Sequence, residues 1–265
     1  RTRGPNAGND EFIELFNLSN AVVDISGWKV NGSNNTGGIV TRATIPAGTL
    51  LPPRTFYLLT NSSVPGYSGA VPGDQTYATG ITDTGGIGLL NAASAIVDQV
   101  GMDVGSAYKE GAVLAPLLAS VNQSYERRSV SCGPDQDTDN NASDFVLNAA
   151  TSNPQNRASS PMQDNNGQSC TLASECCSGN CVDGTCCANA CTATCKSCAN
   201  ATGTCTTNVA AGQPDANGSP ACTSPSACDG AGACKKLNGE TCALANECLS
   251  GFCVDGFCCN SSCGV

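Results

Sequence analysis

The sequence contains no histidine, and only 13% of its 265 residues are charged, about half the usual share for a globular domain. Without imidazole there is no Ser-His-Asp or Cys-His machinery, no His-Glu-x-x-His zinc protease and no histidine switch near neutral pH. Only 12 lysines and arginines stand against 22 aspartates and glutamates, a formal net charge of −10. Such a chain offers no basic footprint to a phosphate backbone, so no nucleic-acid partner is expected. No apolar run approaches the roughly 18 residues that a membrane-spanning helix needs, so this segment is not expected to span a membrane. Other catalytic pairs are weak too. Nothing in the sequence places a serine beside Lys29 or Lys109, and Glu11 and Glu14 read as surface charges on opposite faces of a strand. No enzyme is expected.

Cysteine, by contrast, is abundant: 20 residues, of which only Cys132 falls within residues 1–160. The charge is shared evenly, with 9 basic and 14 acidic side chains before residue 161 and 3 and 8 after it, or −5 in each part. Residues 1–160 are long enough to bury a sizeable core. The tail is poor in large apolar side chains and has to be stapled instead. Three segments are expected: 1–160, a first cysteine-rich unit at 161–241, and a truncated second unit at 242–265.

The division of the tail follows from a duplication. Residues 170–191 read CTLASECCSGNCVDGTCCANAC and residues 242–263 read CALANECLSGFCVDGFCCNSSC, identical at 14 of 22 positions at an offset of 72. Duplicated small units suggest a linear array. Disulfides and metal thiolates compete as explanations of the cysteines. Cys195-Lys-Ser-Cys198 has zinc-knuckle spacing, but the adjacent pairs Cys176-Cys177, Cys186-Cys187 and Cys258-Cys259 do not fit paired knuckles. Disulfides are the expected chemistry, and they imply an oxidising, extracellular or cell-surface setting.

Cys181-Val-Asp-Gly-Thr-Cys186 places Asp-Gly for a two-residue type I′ hairpin, and Cys253-Val-Asp-Gly-Phe-Cys258 repeats it. A crossed pairing, Cys170–Cys181 with Cys176–Cys186, suits such a hairpin, although sequence alone does not fix connectivity. Parity adds a further expectation. The first unit holds 13 cysteines from Cys170 to Cys234, and its Cys177 corresponds to Leu249 in the second copy. The first segment has its own odd thiol, so a Cys132–Cys177 bond is expected to clamp the two parts. The alternative is a free or intermolecular Cys132.

Residues 1–160 read as short strands between Gly-, Pro- and Asn-rich turns: Phe12 to Phe16, a strand within Val22 to Val30, Thr55 to Thr60, Ile87 to Leu90 and Ala95 to Val100. This spacing, without a useful helical period, indicates an all-β sandwich. The stretches NDEFIELFNLSNAVVDISGWKV, TIPAGTLLPPRTFYLLTN and TGITDTGGIGLLNAASAIVDQVGM, followed by SYERRS and DTDNNASDFVLNAATSNPQN, resemble the lamin-tail domain in its bacterial, secreted form over residues 1–157. The resemblance implies an immunoglobulin-like β-sandwich ahead of a disulfide-rich, low-regularity repeat array, and it carries over no catalytic residue. The cysteine repeat resembles arrays in large surface proteins of myxobacteria and related bacteria.

Both ends of the sequence read as cut. Family members usually begin with an apolar strand before the position of Arg1, and the second cysteine unit stops where the first continues through Cys195, Cys198 and Cys205. Processing is one explanation; the other is a sandwich whose missing edge strand comes from a neighbouring subunit.

Two constellations remain. Asp135-x-Asp137-x-Asp139 has alternate oxygen ligands, as calcium loops do, but no glycine follows at loop position six and no glutamate closes a twelve-residue loop. A structural calcium and a plain turn leading into a strand with Phe145 in the core compete here, and no other cofactor is expected. Nine Asn-x-Ser/Thr sequons, at Asn17, Asn31, Asn34, Asn61, Asn122, Asn141, Asn200, Asn217 and Asn260, are candidate glycosylation sites. Trp28 with Tyr57, Tyr67 and Tyr77 reads as core or as a sugar-stacking surface. The whole suggests a secreted or surface-displayed structural protein that self-associates into a fibre or joins other surface proteins, with a glycan- or protein-binding module as the competing class.

Overall fold

A computed structural model describes residues 2–129, 132, 136–149 and 151–262. The chain divides into two compact units, Arg1–Met162 and Gln163–Val265.

The first unit is almost entirely β. Its strands are β1 (Thr2–Arg3), β2 (Phe12–Phe16), β3 (Val23–Asp24), β4 (Lys29–Ser33), β5 (Ile39–Thr44) and β6 (Leu50–Leu51). They continue with β7 (Phe56–Asn61), β8 (Gln75–Tyr77), β9 (Gly86–Leu90), β10 (Ile96–Gly101), β11 (Val121–Arg127) and β12 (Phe145–Asn148). One turn of helix, α1 (Asn141–Asp144), precedes β12. A four-stranded sheet runs β10-β9-β4-β5; two three-stranded sheets run β2-β7-β8 and β1-β11-β12; β3 and β6 form a ribbon. All pairings are antiparallel except β7 with β8.

Alternation along the strands builds the core. Val30 and Ala43 of the four-stranded sheet pack with Ile13, Tyr57, Leu59 and Tyr77 of the sheet β2-β7-β8, and Trp28, Tyr125 and Phe145 close around them. Each fully buried aliphatic side chain of this kind stabilises by about 1.5–3 kcal/mol. β7 is buried along its whole length, because its even-numbered residues are also covered: Phe56 packs on Phe16, over which Arg54 stacks. Gly88 is required by a close approach, since a Cβ there would lie 2.4 Å from the Tyr108 ring. That ring has to stay, because its hydroxyl accepts a hydrogen bond from Asn31 inside the sheet.

The sequence pattern does not single out β1, β5, β6, β8 or β11 as strands, nor α1 as a helix. β5 was hidden because it is an edge strand in which Ile39 and Val40 are both exposed, so no period of two is visible. α1 was hidden because its four residues are too few to show a helical period; Asn140 caps it by accepting from the Ser143 amide.

The second unit is a chain of hairpins: β13 (Cys181–Val182) with β14 (Thr185–Cys186), β15 (Lys196–Ser197) with β16 (Thr207–Asn208), β17 (Ser226–Cys228) with β18 (Cys234–Lys236), and β19 (Cys253–Val254) with β20 (Phe257–Cys258). Its small cores are made of sulfur: Cys170, Cys176 and Cys186 in one, Cys187, Cys191 and Cys198 in the next, Cys195, Cys222 and Cys228 in a third.

The turn in β13–β14 puts Asp183 at φ 52° and Gly184 at φ 73°, and the second copy has Asp255 at 51° and Gly256 at 80°. Two consecutive positive φ angles define the type I′ turn that the Asp-Gly spacing predicts. The disulfides Cys170–Cys181 and Cys176–Cys186, with Cα separations of 6.0 and 5.3 Å, recur as Cys242–Cys253 and Cys248–Cys258 at 6.0 and 5.4 Å. The correspondence reaches further back than the sequence identity does. The Cys177 amide donates to the Asp164 carbonyl and the Leu249 amide to the Lys236 carbonyl, each at 2.9 Å. The second copy therefore begins structurally on β18, six residues before Cys242.

Candidate functional site

A cavity of about 570 Å³ in the first unit is lined by β2, β9, β10, β11 and Phe145, a size within the range of ligand pockets. Its walls are largely apolar, with Leu15, Trp28, Leu89, Met102, Leu114 and Tyr125 among them, and its charged groups are Glu14, Asp98, Glu126, Arg127 and Asp137. Arg127 organises one end. Its Nη2 lies 2.6 Å from Asp98 Oδ2, its Nη1 lies 3.4 Å from Asp137 Oδ1, and its guanidinium stacks 4.6 Å from the centre of the Phe145 ring. Burial pushes the Asp98 carboxyl up even so.

Glu14 marks the other end. Its carboxylate accepts from the Gln155 amide, yet burial pushes its pKa up to about 7. Glu110, beside α1, is also raised to about 7, by burial first and then by Asp98 and Asp137. A carboxyl that titrates near 4.5 when unfolded and near 7 when folded holds its proton more tightly in the folded state. Folding stability then falls as pH rises through that window. Glu14→Gln keeps an acceptor for Gln155 and has no proton to lose. We expect it to flatten the decline between pH 5 and 8 by a fraction of the limiting slope of about 1.4 kcal/mol per pH unit, with the largest gain over wild type at pH 8. Urea midpoints at pH 5 and 8 measure this; an unchanged pH difference would show that Glu14 does not contribute.

Of the expected calcium ligands, Asp137 and Asp139 are among the described residues. Asp135 lies outside the described residues. Asp137 pairs with Arg127, and Asp139 is exposed with φ at 54°. The carboxylate oxygens that do converge belong to Glu110, Asp137 and Asp144, within 4.8 Å of one another. Asp144, fully buried, accepts from the amides of Thr138 and Asn140 and from the Thr138 hydroxyl. Burial pushes its pKa up, and these bonds outweigh it and hold the carboxyl below its usual range. The turn before Phe145 is thus tied by a carboxylate that bonds its own backbone.

Four of the nine candidate glycosylation sites are corrected. Asn17, Asn31, Asn61 and Asn141 are buried. The Asn17 amide donates to the carbonyls of Ala21, Leu51 and Pro52, and Asn141 ties together three segments around β10. A glycan on any of the four would break the core that holds it. Asn34, Asn200 and Asn217 are half-buried, and Asn122 and Asn260 are exposed. Tyr57 and Tyr77 are core residues, so they do not supply a sugar-stacking surface. Glu11 is likewise not a surface charge; it is fully buried and accepts from the Ile81 amide.

The Cys195-x-x-Cys198 spacing does not form a knuckle, because Cys195 bonds Cys228 and Cys198 bonds Cys187. The other close sulfur clusters likewise belong to cystines; sulfur in a disulfide is not the thiolate that a metal takes. Lys29 Nζ does approach Ser94 Oγ, at 3.4 Å, but on an exposed surface.

Residues 2–103 match the family model of the Lamin Tail Domain. Comparison of the chain with curated proteins gives no match. The match spans β1 through β10, identifying an immunoglobulin-like β fold of non-catalytic type; β11, α1 and β12 complete the unit beyond it.

Proposed function

We propose that this chain is a non-enzymatic building block of an extracellular assembly, a bacterial surface appendage, fibre or adhesin. In this reading the β-domain associates by packing or strand pairing while the disulfides keep the repeats rigid. The observation that carries the reading is the second unit's replacement of a hydrocarbon core by cystine, with eight disulfides within the unit among the described residues. Such a device suits an oxidising environment and short units that must hold shape without help from neighbours. The likeness of the repeats to bacterial surface arrays points the same way. Negative-stain microscopy of native material is expected to show filaments; discrete particles would refute the fibre. The apolar cavity supports a second reading, a recognition module that binds another surface protein.

The reading includes a Cys132–Cys177 clamp. Six disulfides join twelve of the thirteen cysteines between Cys170 and Cys234, and Cys177 is the thirteenth. Non-reducing peptide mapping is expected to return a peptide that contains both Cys132 and Cys177. Recovery of Cys132 alkylated without prior reduction, or linked to a different cysteine, would refute it.

A further inference from the structure

The Asn-x-Ser/Thr sequons separate once each carboxamide is followed to its partners. Asn17, Asn31, Asn61 and Asn141 are buried in the first unit. At Asn122 the hydroxyl residue of the sequon, Ser124, is fully buried and donates to Glu126 Oε1. Asn200 Nδ2 donates to the Thr204 carbonyl at 2.7 Å and to Thr207 Oγ1 at 3.0 Å, and Asn217 Nδ2 donates to the Cys191 carbonyl at 2.7 Å. At Asn260 the hydroxyl that reaches the carboxamide belongs to Ser261, the middle residue of the sequon. Asn34-Asn35-Thr36 is arranged differently. It lies in the turn 34–38 that joins β4 to β5, closed by the Asn34 amide donating to the Gly38 carbonyl at 3.0 Å. Asn34 Oδ1 accepts from the amides of Thr36 and Gly38, at 3.0 and 2.8 Å, and from the Thr36 hydroxyl at 2.9 Å. Backbone amides only donate, so the atom they meet is the oxygen. Nδ2 points away from these bonds and has no acceptor among the described residues.

We infer that Asn34 is an N-glycosylation site, the one sequon of the nine that the folded chain presents intact. The substrate is a sugar activated as a phosphate or diphosphate ester and brought by a glycosyltransferase. The bond from the sugar's C1 to the phosphate oxygen breaks, with its electron pair left on that oxygen. A C1–Nδ2 bond forms, and Nδ2 gives up one proton to a base of the transferase. Three features of the turn suit this reaction. Nδ2 carries hydrogens that no other group of the fold uses, whereas all three bonds that shape the turn end on Oδ1 and survive the transfer. Asn35, Thr36 and Gly38 are exposed, so the hydroxyl residue can be read together with the amide. A Cβ at Gly38 would lie 3.0 Å from Nδ2, so glycine leaves the approach open. The sugar enters solvent and displaces no core residue, as a glycan on a surface loop does. The inference goes beyond the assembly reading and does not depend on it.

The test is peptide mapping of the whole protein from its source organism. After reduction and unfolding, trypsin cuts behind Lys29 and Arg42 and isolates residues 30–42, which carry both Asn31 and Asn34. Electron-transfer fragmentation leaves sugars attached and assigns the modified residue. The expected result is a sugar mass increment on Asn34 and none on Asn31 or the other sequons. In the same organism Thr36→Ala is expected to lose the increment completely and Thr36→Ser to retain it. The urea midpoint, followed by Trp28 emission, is expected to stay unchanged in both. A bare Asn34, an increment on Thr36 or on a different sequon, or an increment that survives Thr36→Ala would overturn the site. The wild-type peptide alone decides whether Asn34 carries sugar, so a variant that folds poorly cannot hide the answer.

Discussion

Replacing Asn141 by alanine is expected to destabilise the first unit by about 3–5 kcal/mol, among the largest effects of any single polar substitution in this chain. The side chain is fully buried and acts as a four-way tie. Its Oδ1 accepts from the amides of Gly101 and Glu110, at 2.8 and 3.0 Å. Its Nδ2 donates to the Gln99 carbonyl at 2.9 Å and approaches Glu110 Oε2 at 3.3 Å. Gln99 and Gly101 lie on the outer edge of β10, so the amide group takes the place of a neighbouring strand. Alanine would strand two donors and an acceptor away from water, and each costs about 1–3 kcal/mol when left unmade. Trp28 is the only tryptophan and packs against the core of this unit, so its fluorescence reports the unfolding directly. A shift of the urea midpoint worth less than about 1 kcal/mol would mean that water or a shifted backbone replaces the amide.

Reduction under native conditions should separate the two units. With a phosphine reductant and no denaturant, the segment Gln163–Val265 is expected to lose its structure while Trp28 emission stays unchanged. Folded domains retain about 0.05–0.15 kcal/mol per residue of net stability, and each native disulfide in a small secreted domain contributes about 2–5 kcal/mol. Loss of even a few bonds exceeds the margin, because beneath them lie little more than Ala227 and the cysteines themselves as buried apolar residues. Limited proteolysis reads this out as rapid digestion of the tail beside a surviving fragment that ends near Met162. Survival of the hairpins after complete reduction would show that carbon packing carries more than the burial pattern indicates.

The two predictions mark what was legible in the sequence and what was not. The tail was open to reading because its determinants are local. Cys-Val-Asp-Gly-x-Cys fixes a turn by two positive φ angles, and bonded cysteines only 10 or 11 residues apart then define the rest. The β strands were readable where one face is buried, as in β2 and β9. Asn141 was not, because Asn-Ala-Ser looks the same whether its amide faces a glycosyl donor or the edge of β10; long-range packing alone decides. Glu14 was misread for a related reason. A glutamate between isoleucine and leucine alternates correctly for a solvated face, but that face is covered from elsewhere, with Gln155 reaching the carboxylate. The carboxylate that ties the turn after the Asp135–Asp139 run is Asp144, whose role depends on backbone amides that spacing does not reveal.

The recurrence of one hairpin at an offset of 72 residues has a consequence for how such a protein changes over time. The two copies share turn angles and cystine spacings, yet they differ at the tip and flank: Thr185 becomes Phe257, exposed at 49%, and Asn180 becomes Phe252, exposed at 38%. Elsewhere a new exposed phenylalanine beside a two-residue strand would risk a slipped register. Here two covalent bonds hold the register whatever the side chain, so the frame tolerates almost any face. Copying the unit therefore decouples standing upright from what is displayed, and selection can revise the display one copy at a time.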